Sequence, residues 1–182
     1  MESDIQLFNR VNLFNGLTNS ELKMVIERCA HSRHFSAEQV IFQEGAIGDE
    51  VYCLPRGRVR VELDVGNLAA PRTLATVIGP DIFGEVAFLD GSPRSASTIA
   101  QEELTLYVIE KEKILALMNE MPILGYRIMG NFSRILAERV RRSNQVLINE
   151  LRKLHDIQSS ALPLAARKYN DVSHGYTTQV WV

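Results

Sequence analysis

Hydrophobic positions along the chain change period twice. Up to Phe14 the apolar residues Ile5, Leu7, Phe8, Val11 and Phe14 recur mainly at steps of three and four, the spacing of one helix face. "TNSELKMVIERCA" then places Thr18 three residues before Glu21, a capping box, ahead of Leu22, Val25, Ile26 and Cys29. From Phe35 the period falls to two. In "RVRVELD" Val59, Val61 and Leu63 share one face, and Arg58, Arg60 and Glu62 share the other. Similar short runs, "QVIFQ", "EVYCL", "TLATVIG", "ASTIA" and "LTLYVIE", are parted by Gly45, Gly48, Gly57, Gly66, Gly79-Pro80 and Gly91 with Pro93. Many short strands at this spacing predict a mainly β fold with flanking helices, an eight-stranded jelly-roll barrel.

After Glu110 the helical period returns. "KEKILALMNEM" predicts one short helix, and Pro122 suits the first turn of a long second helix reaching about His155. The seam of that helix is Met129, Phe132, Leu136, Val140, Ser143, Leu147, Leu151 and Leu154, apolar everywhere except Ser143. Its steps follow an eleven-residue repeat, which keeps a stripe nearly straight. Such a stripe needs a partner, either a parallel second copy, which would make a homodimer through residues 122–155, or the chain's own barrel. The expected division is N-terminal helices at 1–34, the barrel at 35–110, a hinge and long C-terminal helix at 111–157, and a tail at 158–182. The tail has a composition compatible with disorder. It has room for one short helix at 162–169 and ends on the strand-like "TTQVWV", suited to a sheet edge.

Composition narrows the function classes. A chain of 182 residues holds one domain with an appendage, and 46% hydrophobic with 23% charged residues excludes a disordered polymer. A net charge of −2 offers no global field for nucleic acid or an anionic membrane. Arg134, Arg139, Arg141 and Arg142, with Glu138 and Glu150 on the same helix, read as a solvated face. No apolar run approaches the ~20 residues of a membrane span, and the N-terminus lacks a signal-peptide core, so a cytoplasmic protein is expected. Cys29 and Cys53 sit among apolar neighbours, as buried free thiols would in a reducing compartment, although one pairing is possible. His31 and His34 precede the strands while His155 and His174 follow them. No histidines converge within the barrel, and neither a metal site nor an enzyme is expected.

The chemistry concentrates in "FGEVAFLDGSPRSAS", residues 83–97. Gly84 permits a close turn, and one helical turn at Glu85 to Phe88 would point amide hydrogens at an anion. Arg94 adds a planar fork matched to two phosphate oxygens, Ser95 a hydroxyl donor, and the small Ala96 room for a ligand. Glu85 would repel a phosphate, so its natural partner is a hydroxyl beside it. Anion plus neighbouring hydroxyl describes a ribose phosphate. The residues alone leave a plain Glu85–Arg94 salt bridge across the turn as the alternative.

This stretch resembles the phosphate-binding cassette of cyclic nucleotide-binding domains: Phe-Gly-Glu-aliphatic-Ala, a short spacer, then Pro-Arg-small-Ala. "LFNGLTNSEL", "IFQEGAIGDEVYCLPRGRVRV" and "IGPDIFGE" are similar to the family's glycine framework, and the resemblance runs from about Leu13 to Leu151. It implies that Glu85 holds a ribose 2′-hydroxyl and Arg94 the cyclic phosphate. Gly84, Val86 and Ala87, following Phe83, would give backbone contacts, and Ser95 a phosphate contact beside Ala96. Leu74 and Ile82, with Thr76 on the face of Leu74, are candidates for the base walls or for ordinary barrel packing. Ser143-Asn144 stands where similar bacterial regulators present two polar residues to the adenine amine, and Ser143 is equally suited to setting helix register. The implied ligand is cAMP, with cGMP kept open by Ser95, and the implied role is signalling through movement of the long helix. In the bacterial regulators a helix-turn-helix follows that helix. Here about 28 residues remain, too few for a recognition module. Direct DNA contact is therefore not expected, and the output would pass through dimer geometry or an unidentified effector protein. A dimeric interaction module that binds no ligand is the competing reading.

Overall fold

The computed structural model describes residues 2–64, 66 and 71–161. The expected short helix at 162–169 and the strand-like terminus lie outside these residues. The chain divides into two units, one ending at Leu136 and one beginning at Ala137.

The first unit opens with α1 (Glu2–Phe8), a 3₁₀ turn (Asn12–Phe14) and α2 (Asn19–Cys29). The single helical period seen in the sequence is thus broken after Phe8, yet Phe8, Val11, Leu13 and Phe14 are all buried. The capping box at the start of α2 is present. Thr18 N–H donates to Glu21 Oε2 (2.7 Å), and Glu21 N–H donates to Thr18 Oγ1 (3.2 Å).

Eight strands follow: β1 (Ala30–Phe35), β2 (Val40–Phe42), β3 (Val51–Leu54), β4 (Arg58–Leu63), β5 (Arg72–Ile78), β6 (Asp81–Phe83), β7 (Ser97–Ala100) and β8 (Leu104–Ile109). They form two antiparallel sheets, ordered β1-β8-β3-β6 and β2-β7-β4-β5. The jelly-roll pattern is therefore a sandwich of two separate sheets and not the closed barrel expected. The chain crosses from one sheet to the other at Gly79-Pro80, and a proline has no amide hydrogen with which to continue a ladder. β1 escapes a periodicity reading because only Phe35 of its six residues is buried. Its pairing with β8, from Ala30↔Ile109 to Phe35↔Leu104, holds it in place.

The first sheet is covered on both faces, which is why all four residues of β3 are buried. Val51 and Cys53, with Ile109 and Ile82, face the helices, while Tyr52, Leu54, Leu106, Val108 and Phe83 face the second sheet. Burial pushes the Cys29 thiol up to about 11 and the Cys53 thiol up to about 12, and both are free. The unit closes with α4 (Lys111–Glu120) and the first part of α5 (Pro122–Ala161). Leu124, Ile128, Phe132 and Ile135 of α5 join the helix-side core. Asn131, buried there, donates from Nδ2 to the carbonyls of Leu13 (2.8 Å) and Asn15 (2.9 Å). Arg28 makes a bidentate pair with Glu120 (2.7 and 2.8 Å), joining α2 to α4, and Arg127 reaches Glu21 of α2 (3.2 Å).

In the second unit α5 continues from Ala137 to Ala161, past the expected end near His155. The seam therefore divides. Phe132 belongs to the first unit's own core, whereas Val140, Leu147, Leu151 and Leu154 are each 55–58% exposed.

Candidate functional site

The cassette is built on α3 (Glu85–Asp90), a longer helix than the single turn expected. Both its flanking residues are left-handed glycines, Gly84 (φ 80°) and Gly91 (φ 73°), with Gly91 N–H closing onto Ala87 O at 3.0 Å. The first intrahelical bond is Phe88 N–H to Gly84 O (3.4 Å), so the amides of Val86 and Ala87 precede the ladder. Phe88 stacks on Phe132 (5.2 Å), which fixes the far side of α3 against the start of α5.

Arg94 follows the turn and is 3% exposed. Its backbone pairs with the loop before β3, accepting from Gly45 N–H (2.8 Å) and donating to Ala46 O (2.9 Å). Its guanidinium donates from Nη1 to the carbonyls of Glu50 (2.9 Å) and Gly84 (3.1 Å), and from Nη2 to Glu50 Oε2 (2.6 Å). The ion pair that Arg94 makes is thus with Glu50, and no salt bridge to Glu85 is needed to explain its burial. The contact to the Gly84 carbonyl brings the cation next to the residue preceding Glu85, so the two ends of the segment meet. Aromatic faces complete the seat: the guanidinium carbon lies 4.4 Å from the Phe42 ring centre and 5.6 Å from that of Tyr52. Burial, then the charge of Glu50, raises the Tyr52 hydroxyl above its ordinary value.

Glycine leaves room on both sides of this cation. A Cβ on Gly84 would lie 2.9 Å from Arg94 Nη1, and one on Gly48 would lie 3.1 Å from both Arg94 Nη2 and Glu50 Oε2.

The remaining candidates are distributed as follows. Glu85 (3% exposed), Ala87 (2%), Phe83 (3%) and Ala96 (7%) are buried around Arg94 or α3, while Val86 and Ser95 are exposed. Phe83 stacks on Tyr52 (5.2 Å) inside the sandwich. The three wall candidates lie on different sides of the sandwich. Ile82 is fully enclosed on the helix-facing side, because alternation along β6 gives the inward side to Phe83. Val59 and its partner Val77 pack inward, so Thr76, opposite Arg60, lies on the outward face. Leu74 is the unpaired residue at the β4–β5 register shift and is 58% exposed. Val77 is the residue of β5 that packs against the inner core. Ser143 and Asn144 are exposed on α5 in the second unit.

Sequence reasoning missed Glu50, Gly48, Phe42 and Tyr52 as companions of Arg94. The glycines of the 45–50 loop were visible as turn residues, but only the backbone pairing of that loop with Arg94 brings its carboxylate to the cation. It also missed Thr98, whose buried hydroxyl has no hydrogen-bond partner among the described residues and which pairs with Phe42 and Val61.

Residues 32–121 match the family model of the cyclic nucleotide-binding domain. Through this segment the chain belongs to the cyclic nucleotide-binding domain family. It is 32% identical to the cyclic AMP receptor protein of Thermus thermophilus over 134 residues, covering 72% of this chain and 58% of that protein. It is 26% identical over 145 residues to the CRP-like cAMP-activated global transcriptional regulator of Mycobacterium tuberculosis, covering 78% of this chain and 61% of that one. Among solved structures it is similar to a cyclic nucleotide-binding domain from Methylobacillus flagellatus, with a TM-score of 0.73 at 26% identity, over 82% of this chain and 83% of that chain. The chain spans about three fifths of the length of the two curated relatives. In this cyclic nucleotide-binding domain Glu85, Val86 and Ala87 lie on α3, with Gly84 as its N-cap. No cluster able to hold a metal is found among the described residues, and no described helix is long and apolar enough to cross a membrane.

Proposed function

We propose that the chain is a cAMP sensor whose cassette reads the cyclic phosphate with Arg94 and the ribose 2′-hydroxyl with Glu85. The observation that carries this reading is the state of the Arg94 guanidinium. It is buried and held in plane by two backbone carbonyls, and among the described residues three of its five N–H groups are committed to protein acceptors. Two donors on a fixed fork beside the start of α3 suit a doubly bonded phosphate. The names of the two curated relatives, a cyclic AMP receptor and a cAMP-activated regulator, favour adenine. Ser143 and Asn144 then supply polar groups for the base, with α5 pairing with a second copy along Val140, Leu147, Leu151 and Leu154.

Binding shifts a two-state equilibrium at the α4–α5 junction, where Met121 alone separates the helices and Gly125 lies against Met118. The output passes through α5 to a protein partner rather than to DNA, in keeping with the slightly acidic net charge and with the Arg134 guanidinium being engaged by Asn131. A second reading, cGMP, rests on the exposed hydroxyl residue Ser95 directly after Arg94.

Calorimetric titration of the full chain with cAMP and with cGMP tests the proposal. cAMP is expected to bind more tightly, and Arg94→Ala to weaken it by about 2–4 kcal/mol, roughly 30- to 1,000-fold. Unchanged affinity in that variant would remove Arg94 from the site, and no binding of either nucleotide to the parent would favour the interaction module. Asn144→Ala is expected to narrow the preference between the nucleotides; equal losses for both would count against base capping.

A further inference from the structure

Thr98 carries a buried hydroxyl for which the fold supplies no use. The residue is 3% exposed, and its Oγ1 has no hydrogen-bond partner among the described residues. A buried hydroxyl without a partner costs stability, so packing alone would favour valine here.

The ladder fixes where this side chain lies. Val59 of β4 and Ala100 of β7 stand opposite each other and belong to the core between the sheets. Thr98 is two residues before Ala100 in a regular stretch of the same ladder. It therefore stands on that inner side, across from Val61. Its partner on β2 is Phe42, whose ring centre lies 4.4 Å from the Arg94 guanidinium carbon. The surface around Thr98 is apolar, and it opens at this end of the sheet. Val61 and Val77 are half-buried, and Ala75, across from Val61, is exposed. The patch thus adjoins the phosphate-reading cation, offers aliphatic surface to a flat ring, and holds one polar group, the usual make-up of a small-molecule site. A cyclic nucleotide held by its phosphate at Arg94 and by its ribose at Glu85 has its base left to place.

We propose that Thr98 is a base-reading residue: its hydroxyl hydrogen-bonds a polar atom on the edge of the purine, while Val61 and Val77 cover a face of the ring. This inference rests on the cyclic-nucleotide reading above, and it adds a contact from the second sheet to those assigned to the cassette and to α5. A hydroxyl both donates and accepts, and adenine and guanine offer it different edge groups.

Titrating the full chain, Thr98→Val and Thr98→Ser with cAMP and with cGMP, and melting each without nucleotide, tests this. Thr98→Val removes the hydroxyl at nearly constant shape. It is expected to melt no lower than the parent, to bind cAMP about three- to tenfold more weakly, and to change the ratio of the two affinities. Thr98→Ser keeps the hydroxyl and is expected to bind cAMP within about twofold of the parent. Parental cAMP affinity in Thr98→Val would overturn the proposal. So would an equal loss for both nucleotides, which would move the contact off the base. A lower melting temperature for Thr98→Val would overturn it as well, by giving the hydroxyl a role in holding the fold. A parent that binds neither cAMP nor cGMP would instead overturn the nucleotide reading itself, so the two failures are distinguishable.

Discussion

Gly84 carries two constraints in one residue. Its φ of 80° lies in the left-handed region, and its missing Cβ leaves the space in which Arg94 Nη1 reaches the Gly84 carbonyl. Gly84→Ala is expected to cost about 1–2 kcal/mol of stability from the backbone alone. It should also push the guanidinium off its carbonyls, so the loss of cAMP affinity should exceed what stability explains. A thermal melt paired with calorimetry checks both, and a destabilised variant with parental affinity would show that the guanidinium tolerates displacement. At this scale the cassette was legible in the sequence because its residues are contiguous. Glu50 was not, since it stands 44 residues from Arg94 along the chain and meets it only through the loop that Arg94 pins. For Ile82 the sequence left base wall and ordinary packing open, because alternation does not reveal which side of a strand is inward when both faces of its sheet are covered.

At the scale of elements, the helix starts were the most readable features. Thr18 and Glu21 form the reciprocal cap that their spacing announced, and Thr18→Ala is expected to cost about 1 kcal/mol in a denaturant titration. The Thr18 backbone N–H, aided by the Thr18 hydroxyl and the Arg127 charge, holds the Glu21 carboxyl below its ordinary value of 4.5. A carboxyl lowered by folding contributes stability that is present above that ordinary value and is lost as pH falls through the lower folded value. Melting temperatures measured down from pH 5 should therefore fall less steeply for Glu21→Gln than for the parent; parallel curves would mean that the cap is not a source of acid sensitivity. Strands with alternation, such as β4, were readable as well. β1 and the three-residue β6 were not, because register with β8 and β3 holds them rather than any pattern of their own.

For the molecule as a whole, the jelly-roll character was visible in strand count and spacing, but closure was not, since it depends on edge pairing that no local pattern encodes. The exposed seam beyond Ala137 has a direct test. With a chain mass of 20.5 kDa, sedimentation of the parent should give twice that value. Leu147→Glu combined with Leu151→Glu should give the single-chain mass while the first unit melts as before, because its core is complete by Ile135. A parent already at the single-chain mass would sink the pairing of α5.

The stacked rings of Phe88 and Phe132 join elements far apart in the chain: one ring belongs to the helix that starts at the cassette, the other to the base of the long helix. A change in the setting of α3 would therefore be felt at Phe132 through a single ring contact, without passing along the 43 residues of chain between the two rings.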